Sequence, residues 1–226
     1  MQKKSYSKVN EYIWEKVLNG ELKLGDKLPP EREFAKMLDI SRNSIREGLR
    51  VLENVGVISS QQGAGNFISA NFEETLVEIM SFMYTLNGMN DCQITQFRYA
   101  LEWEAVNLIT GKVPEEIKED LLYYLEKLEQ AESEEEEAVV YDKKIHYLII
   151  EATDNDYMKT NYKALTKVMN IYIPRLRGKI IVGMKGDKEL SQAHRMIVEG
   201  VIEGNKEKSM KGLKLHFKYM ITYQNS

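Results

Sequence analysis

The sequence predicts a mainly α-helical chain in two parts. Residues 1–70 read as three helices followed by a β-hairpin. Residues 71–226 read as an all-α bundle of six or seven helices. Three observations support this. Apolar residues recur every three or four positions along most of the chain, the period of an amphipathic helix. Only 4 prolines occur in 226 residues, and Leu, Glu and Lys are common, so helices are rarely interrupted. Strand-like alternation occurs in one place, on either side of the glycine-rich stretch 61–65.

In the first part, Val9, Ile13, Val17 and Leu18 recur at helical spacing, with Tyr12 and Trp14 beside them, and Asn19-Gly20 ends this helix. Gly25-Asp26 marks a turn before Pro29-Pro30. Proline is tolerated in a first helical turn, so a second helix runs from Pro30 to Leu38 with Phe34, Ala35 and Leu38 inward. Asp39-Ile40 makes the turn to a third helix, Arg42 to Asn54, which Ser41 caps. Ile45, Leu49 and Leu52 share one face of it, while Arg42, Arg46 and Arg50 form a stripe on another. Gly56 stops the helix, and Val57-Ile58-Ser59 and Asn66-Phe67-Ile68-Ser69 pair around Gln61–Gly65 as a wing.

Two helices joined by a tight turn and followed by a wing have a physical use. The second can enter a DNA major groove, where an arginine pairs with guanine through two hydrogen bonds. A glycine tip lets the wing's backbone approach phosphate closely. The charge distribution agrees. Residues 1–70 hold 11 Lys and Arg against 9 Asp and Glu, while the remainder hold 20 against 26. The formal charge of −4 therefore conceals a mildly basic head on an acidic body, and DNA contact is confined to the head.

These residues also carry a resemblance. Gly20-Glu21-Leu22, Gly25-Asp26-Lys27-Leu28-Pro29, Glu31-Arg32-Glu33, Ser41-Arg42, Ile45-Arg46-Glu47, Gly63 and Gly65-Asn66-Phe67 resemble the winged helix of GntR-family bacterial transcription regulators. The resemblance covers nearly all of the first 69 residues. It implies DNA contacts at Arg32, Ser41, Arg42, Asn43, Ser44, Arg46 and Gly63. Two positions depart from the family pattern. Pro30 stands where a capping Ser is usual. Gly48 replaces the usual Ala, costing the helix about 1 kcal/mol. Neither is a contact position, but Asn43 and Ser44 alter which bases are read.

The second part predicts helices over 72–86, 91–110, from Pro114 through Leu128, 136–152, from 154 to about 184 with a kink at Pro174, 188–202 and 206–223. Ile94, Phe97, Leu101, Ala105 and Leu108 are expected inward on the 91–110 helix. The acidic run 132–137 reads as a solvated loop or helix start. Short loops make neighbouring helices antiparallel.

The chain has three histidines, His146, His194 and His216, each inside a different amphipathic helix. Asp142 precedes His146 by four and shares its face. One carboxylate and three imidazoles suit zinc first, with manganese or nickel as alternatives. Spacing supports only the Asp142/His146 pair, since nothing in the sequence brings His194 and His216 together. Isolated helical histidines are more often structural.

Tyr141-Asp142 with His146 and Ile149, Ala193-His194-Arg195 with Ile197, and Leu215-His216 resemble the three metal motifs of the FCD effector domain of the FadR-type branch. Phe97-Arg98 with Leu101-Glu102 resembles that branch's early helix. The resemblance implies metal ligands Asp142, His146, His194 and His216, and an effector-binding role for Arg98. A metal accepting six ligands would leave two positions for a small organic acid. Members responding to acyl-CoA lack this metal set, which argues against that effector. Arg98 has a competing reading as a salt bridge to Glu102. Tyr99 and Trp103 are either cavity lining or core, and Arg175 and Arg177 are further pocket candidates.

The function these signals imply is a cytoplasmic, homodimeric regulator, a repressor that binds a palindromic operator and responds to a small carboxylate at a divalent metal centre. The alternatives are a purely structural metal, or a metal-dependent hydrolase with an accessory DNA-binding head. A single cysteine, Cys92, excludes an intrachain disulfide and suits a reducing compartment. The basic N-terminus lacks an apolar core, so no signal peptide is expected, and no apolar run approaches the ~20 residues that span a bilayer.

Overall fold

The structure, a computed structural model, describes residues 7–69, 72–86, 91–131, 135–167, 169 and 188–224. Three helices, α1 (Ser7–Leu18), α2 (Glu31–Leu38) and α3 (Arg42–Asn54), precede an antiparallel hairpin of β1 (Ile58–Gln61) and β2 (Gly65–Ile68). There follow α4 (Phe72–Leu86), α5 (Asp91–Ile109), α6 (Glu115–Gln130), α7 (Glu135–Glu151), α8 (156–167), α9 (Lys188–Glu203) and α10 (Lys206–Gln224). The chain forms two compact units, residues 1–79 and 80–226, divided inside α4. The mainly α architecture, with a hairpin after three N-terminal helices, is the one the periodicity predicts.

In the first unit, Val9 and Ile13 of α1, Phe34 and Ala35 of α2, and Ile45, Leu49 and Leu52 of α3 close one core with Leu28, Ile58 and Ile68. Val17 and Leu18 of α1 do not join it and stay exposed. The Ser41 side chain accepts from the Ser44 backbone N–H at 3.1 Å, satisfying one of the unpaired donors of the first turn of α3. Pro30 precedes α2 with no side-chain cap, as its chemistry requires. Asp39 takes the left-handed conformation (φ 49°) that reverses the chain between α2 and α3.

The hairpin pairs Ile58 with Ile68 and Gln61 with Gly65, so Gly63, at φ +76°, forms its tip. Residues 25–28, read from the sequence only as a turn, add an edge to it. Leu28 N–H donates to Asn66 O, Ile68 N–H donates to Asp26 O, and Lys27 bridges Phe67. Strand β2 is thus held along both edges, and Leu28 is buried.

The second unit is a helical bundle. Its core draws on α5, α6, α7, α8, α9 and α10, with Ala105, Val106, Leu121, Leu128, Ile145, Ile149, Leu165, Ile197, Val201, Leu213 and Phe217 among the buried apolar residues. The expected inward face of α5 needs correction. Phe97 and Leu108 are exposed, and Leu101 is only half-buried. The buried face instead carries Ile94, Thr95, Arg98, Glu102, Ala105, Val106 and Ile109. Arg98 and Glu102 neutralise one another inside the bundle, so two charged residues occupy positions that an apolar pattern assigns to water.

Helices α9 and α10 lie unusually close. A Cβ built on Gly212 of α10 would stand 2.8 Å from Ala193 O and 2.8 Å from Ile197 N; one on Gly200 of α9 would stand 2.5 Å from Ser209 N. The missing side chains permit that approach. Gly212 lies one turn before His216, and its neighbour across the interface, Ala193, adjoins His194. The kink expected at Pro174, together with Arg175 and Arg177, lies outside the described residues.

Candidate metal centre and DNA-facing residues

Three helices of the second unit bring chemistry together. Asp142 and His146 project from one face of α7, His194 from α9 and His216 from α10. All four are buried, and one ligand atom from each lies within 4.8 Å of the others. The ring centroids of His216 stand 4.6 Å from those of both His146 and His194. The convergence that spacing could not supply is therefore present.

Hydrogen bonding assigns the imidazoles their roles. His146 Nδ1 lies 2.6 Å from Glu102 Oε2. His194 Nδ1 lies 2.9 Å from the Leu190 carbonyl oxygen. An ionised carboxylate and a carbonyl only accept, so both Nδ1 atoms carry hydrogen, and each ring in its neutral form turns an Nε2 lone pair inward. Those Nε2 atoms are 3.3 Å apart, and His194 Nε2 is 2.8 Å from Asp142 Oδ1. Three acceptors thus face one another across a buried space. Only a cation between them, a proton or a metal ion, makes that favourable. His216 distinguishes the two. Both of its ring nitrogens are buried without a hydrogen-bond partner, and a single proton on a neighbouring ring leaves them unsatisfied. The donor set of three imidazoles and one carboxylate is that of a transition-metal site.

Electrostatics favours the deprotonated forms a metal requires. Burial, reinforced by the neighbouring imidazoles, pushes His216 well below its usual range. Burial also lowers His146, against an opposing pull from Glu102. Burial would raise Asp142, but His194, whose Nε2 lies 2.8 Å away, and the nearby imidazoles hold it well below the usual carboxylate range.

Beside the cluster lies a second set of buried groups, two of which the sequence reading did not single out as functional. Glu102 is fully buried and accepts from Arg98 Nε at 2.5 Å and from the Tyr162 hydroxyl at 2.7 Å, both on Oε1. Arg98 therefore makes its salt bridge, yet its Nη2 remains buried without a partner. Its guanidinium lies 5.4 Å over the Phe217 ring. The signal for Glu102 was its place four residues after Arg98; Tyr162 carried none. Tyr99 and Trp103 are half-buried, with ring centroids 5.7 Å apart and planes tilted by 56°, and packed on the core.

In the first unit, Arg32 is exposed in the first turn of α2, Ser41, Arg42, Asn43 and Arg46 are exposed at the start of α3, Ser44 is half-buried, and Gly63 is exposed at the wing tip. Ser41 and Ser44 also bond one another, with their hydroxyl oxygens 3.0 Å apart. Arg46 Nε pairs with Glu31 at 2.8 Å while most of its side chain stays in solvent.

The head and the body each match a known family. The family model for bacterial regulatory proteins of the gntR family matches residues 5–68, and that for the FCD domain matches residues 93–219. The chain belongs to the GntR family. It is 26% identical over 210 residues to an Escherichia coli (strain K12) protein bearing the name of an L-lactate dehydrogenase operon regulatory protein, covering 89% of this chain and 79% of that one. It is 24% identical over 193 residues to the HTH-type transcriptional regulator LutR of Bacillus subtilis (strain 168), covering 84% and 87%. The solved structure of a GntR protein from Streptococcus agalactiae shares the fold with a TM-score of 0.62 at 18% identity, covering 98% of this chain and all of that one. This GntR-family chain is a DNA-binding transcription regulator, not an enzyme. The family gives no support to the hydrolase reading. Among the described residues, no helix is long and apolar enough to cross a membrane.

Proposed function

We propose that this regulator is a homodimeric repressor whose operator affinity is set by a small carboxylate held at a divalent metal centre, zinc before manganese or nickel. Residues 1–70 bind DNA, and residues 71–226 bind effector and pair the two copies. The observation that carries the reading is the buried convergence of Asp142, His146, His194 and His216, whose inward acceptors and unpartnered His216 nitrogens call for a cation. Asp142, His146, His194 and His216 would hold the ion, which would supply a positive centre for an anionic ligand. Arg98 Nη2, buried and unpartnered, offers a second point of attachment for a carboxylate.

The DNA side of the proposal rests on Arg32 in the first turn of α2, Ser41, Arg42, Asn43, Ser44 and Arg46 at the start of α3, and Gly63 at the wing tip. Two copies related by a twofold axis would present two recognition helices to a palindromic operator. Exposed Leu76, Ile79, Met83 and Leu86, at helical spacing along α4, favour pairing over a monomer. Repression needs only that the bound dimer block other proteins. The effector acts through its different affinities for the DNA-competent and DNA-incompetent states, and can shift the balance by no more than that difference. Cytoplasmic location follows from this role.

Calorimetric titration of a panel of small carboxylic acids, into metal-loaded and chelator-treated protein, tests the metal-anchored site. Binding is expected only with metal present. Equal affinity after complete metal removal would leave the metal purely structural.

A further inference from the structure

Glu102 sits between the two halves of the proposed effector site and belongs to neither. Its side chain is entirely buried. Three donors from three helices converge on it: Arg98 Nε from α5, His146 Nδ1 from α7 and the Tyr162 hydroxyl from α8. The division of labour is specific. Oε1 takes Arg98 and Tyr162, whereas Oε2 takes His146 alone.

We infer that Glu102 is the positioning residue shared by the metal ligand His146 and the anion-pairing Arg98, so that one carboxylate holds the imidazole in its ligating tautomer and aims the guanidinium beside it. This rests on the metal-centred reading above. The chemistry has two parts. A neutral histidine carries one ring hydrogen, and a carboxylate opposite Nδ1 keeps it there, which turns the Nε2 lone pair into the cluster and makes it more basic. The same carboxylate engages Arg98 through Nε alone. Nη2 is left over, and it is the atom of Arg98 that is buried without a partner. A guanidinium held through Nε cannot swing away, so its free edge stays available to a ligand. Tyr162 donates to Oε1, which keeps the carboxylate from rotating and exchanging its two oxygens.

A substitution that contacts neither metal nor anion should then weaken the binding of both. The experiment uses full-length wild type and Glu102→Gln at pH 8, with helical content checked by circular dichroism. Zinc affinity is measured by competition with a chromophoric chelator, and acetate affinity on zinc-loaded protein by calorimetry. The side-chain tautomers of the three histidines are read by ¹⁵N-edited NMR of the metal-free proteins. Wild type is expected to show His146 protonated at Nδ1. Glu102→Gln is expected to lose that single tautomer, to bind zinc about 10–100-fold more weakly, and to bind acetate more weakly as well. An unchanged tautomer with unchanged zinc affinity in a folded Glu102→Gln protein would overturn the inference while leaving the metal site standing. Failure of wild type to bind zinc would instead remove the metal-centred reading. If Glu102→Gln does not fold, the wild-type spectrum decides alone, because His146 protonated at Nε2 in the metal-free protein contradicts the assignment.

Discussion

His216 presents two buried ring nitrogens to the bundle with no hydrogen-bond partner for either. An unsatisfied buried polar atom costs about 1–3 kcal/mol, so a residue kept only for stability would not remain in this state. The cost makes a separable prediction. In metal-free protein, His216→Leu should be at least as stable as wild type toward urea, because it exchanges an unpaired imidazole for an aliphatic side chain. Added zinc should stabilise wild type more than the variant, which keeps only three of the four ligands. A variant that is markedly less stable without metal, or that gains as much from zinc as wild type, would show His216 to be an ordinary core residue. Arg98 and Glu102 make a related point. Each is charged and buried, and they are tolerable only together, since removing one partner strands the other in a medium that solvates it poorly.

At the scale of elements, α3 separates its duties by face. Ile45, Gly48, Leu49 and Leu52 are buried against the first unit's core, while Arg42, Arg46 and Arg50 are exposed. The Arg42→Ala/Arg46→Ala double variant is therefore expected to lose palindromic operator binding while its thermal unfolding stays within about 0.5 kcal/mol of wild type, as surface substitutions usually do. Fluorescence anisotropy with a selected operator checks the first part and calorimetry the second. Retained operator affinity would remove the recognition role from this face. Helices α9 and α10 show the complementary case, in which an interface serves a site. At Gly200, facing Ser209, and at Gly212, facing Ala193 and Ile197, there is no room for even a methyl group between the two helices, and that closeness accompanies the 4.6 Å separation of the His194 and His216 rings.

For the whole molecule, the candidate metal centre draws its residues from α7, α9 and α10, and from α5 through Glu102, so under the proposed function ion binding and cohesion of the bundle are one equilibrium. A ligand that binds only the folded form adds about 2.7 kcal/mol at a hundred times its dissociation constant. Zinc should accordingly raise the unfolding temperature of the second unit, and a strong chelator should reverse the gain. An unfolding profile insensitive to both would contradict a resident metal. In solution, light scattering should give a particle of twice the 26.2 kDa chain; a monomer at micromolar concentration would undo the proposed arrangement on a palindrome.

The order of elements was legible from sequence because helix periodicity, caps and glycine stops are local. Ser41, Pro30, Gly56 and Pro114 each act on their own neighbours, and α1 to α3, the hairpin, and α4 to α7 with α9 and α10 follow within a residue or two. Asp142 and His146 were legible as a pair for the same reason, being one turn apart on α7. The inner face of α5 was not. A pattern that scores charges as outward misplaces Arg98 and Glu102, whose burial depends on each other and on His146 and Tyr162, 44 and 60 residues from Glu102. The edge added to the wing by residues 25–28 was hidden likewise, because strand pairing is settled by a distant partner. The sequence by itself determined two helical parts, an arginine-bearing recognition helix and the residues that can ligate a metal. Only the tertiary structure decided that Asp142, His146, His194 and His216 meet and that Glu102 joins them to Arg98, since the distance between helices far apart in the chain is set by packing and by no local preference.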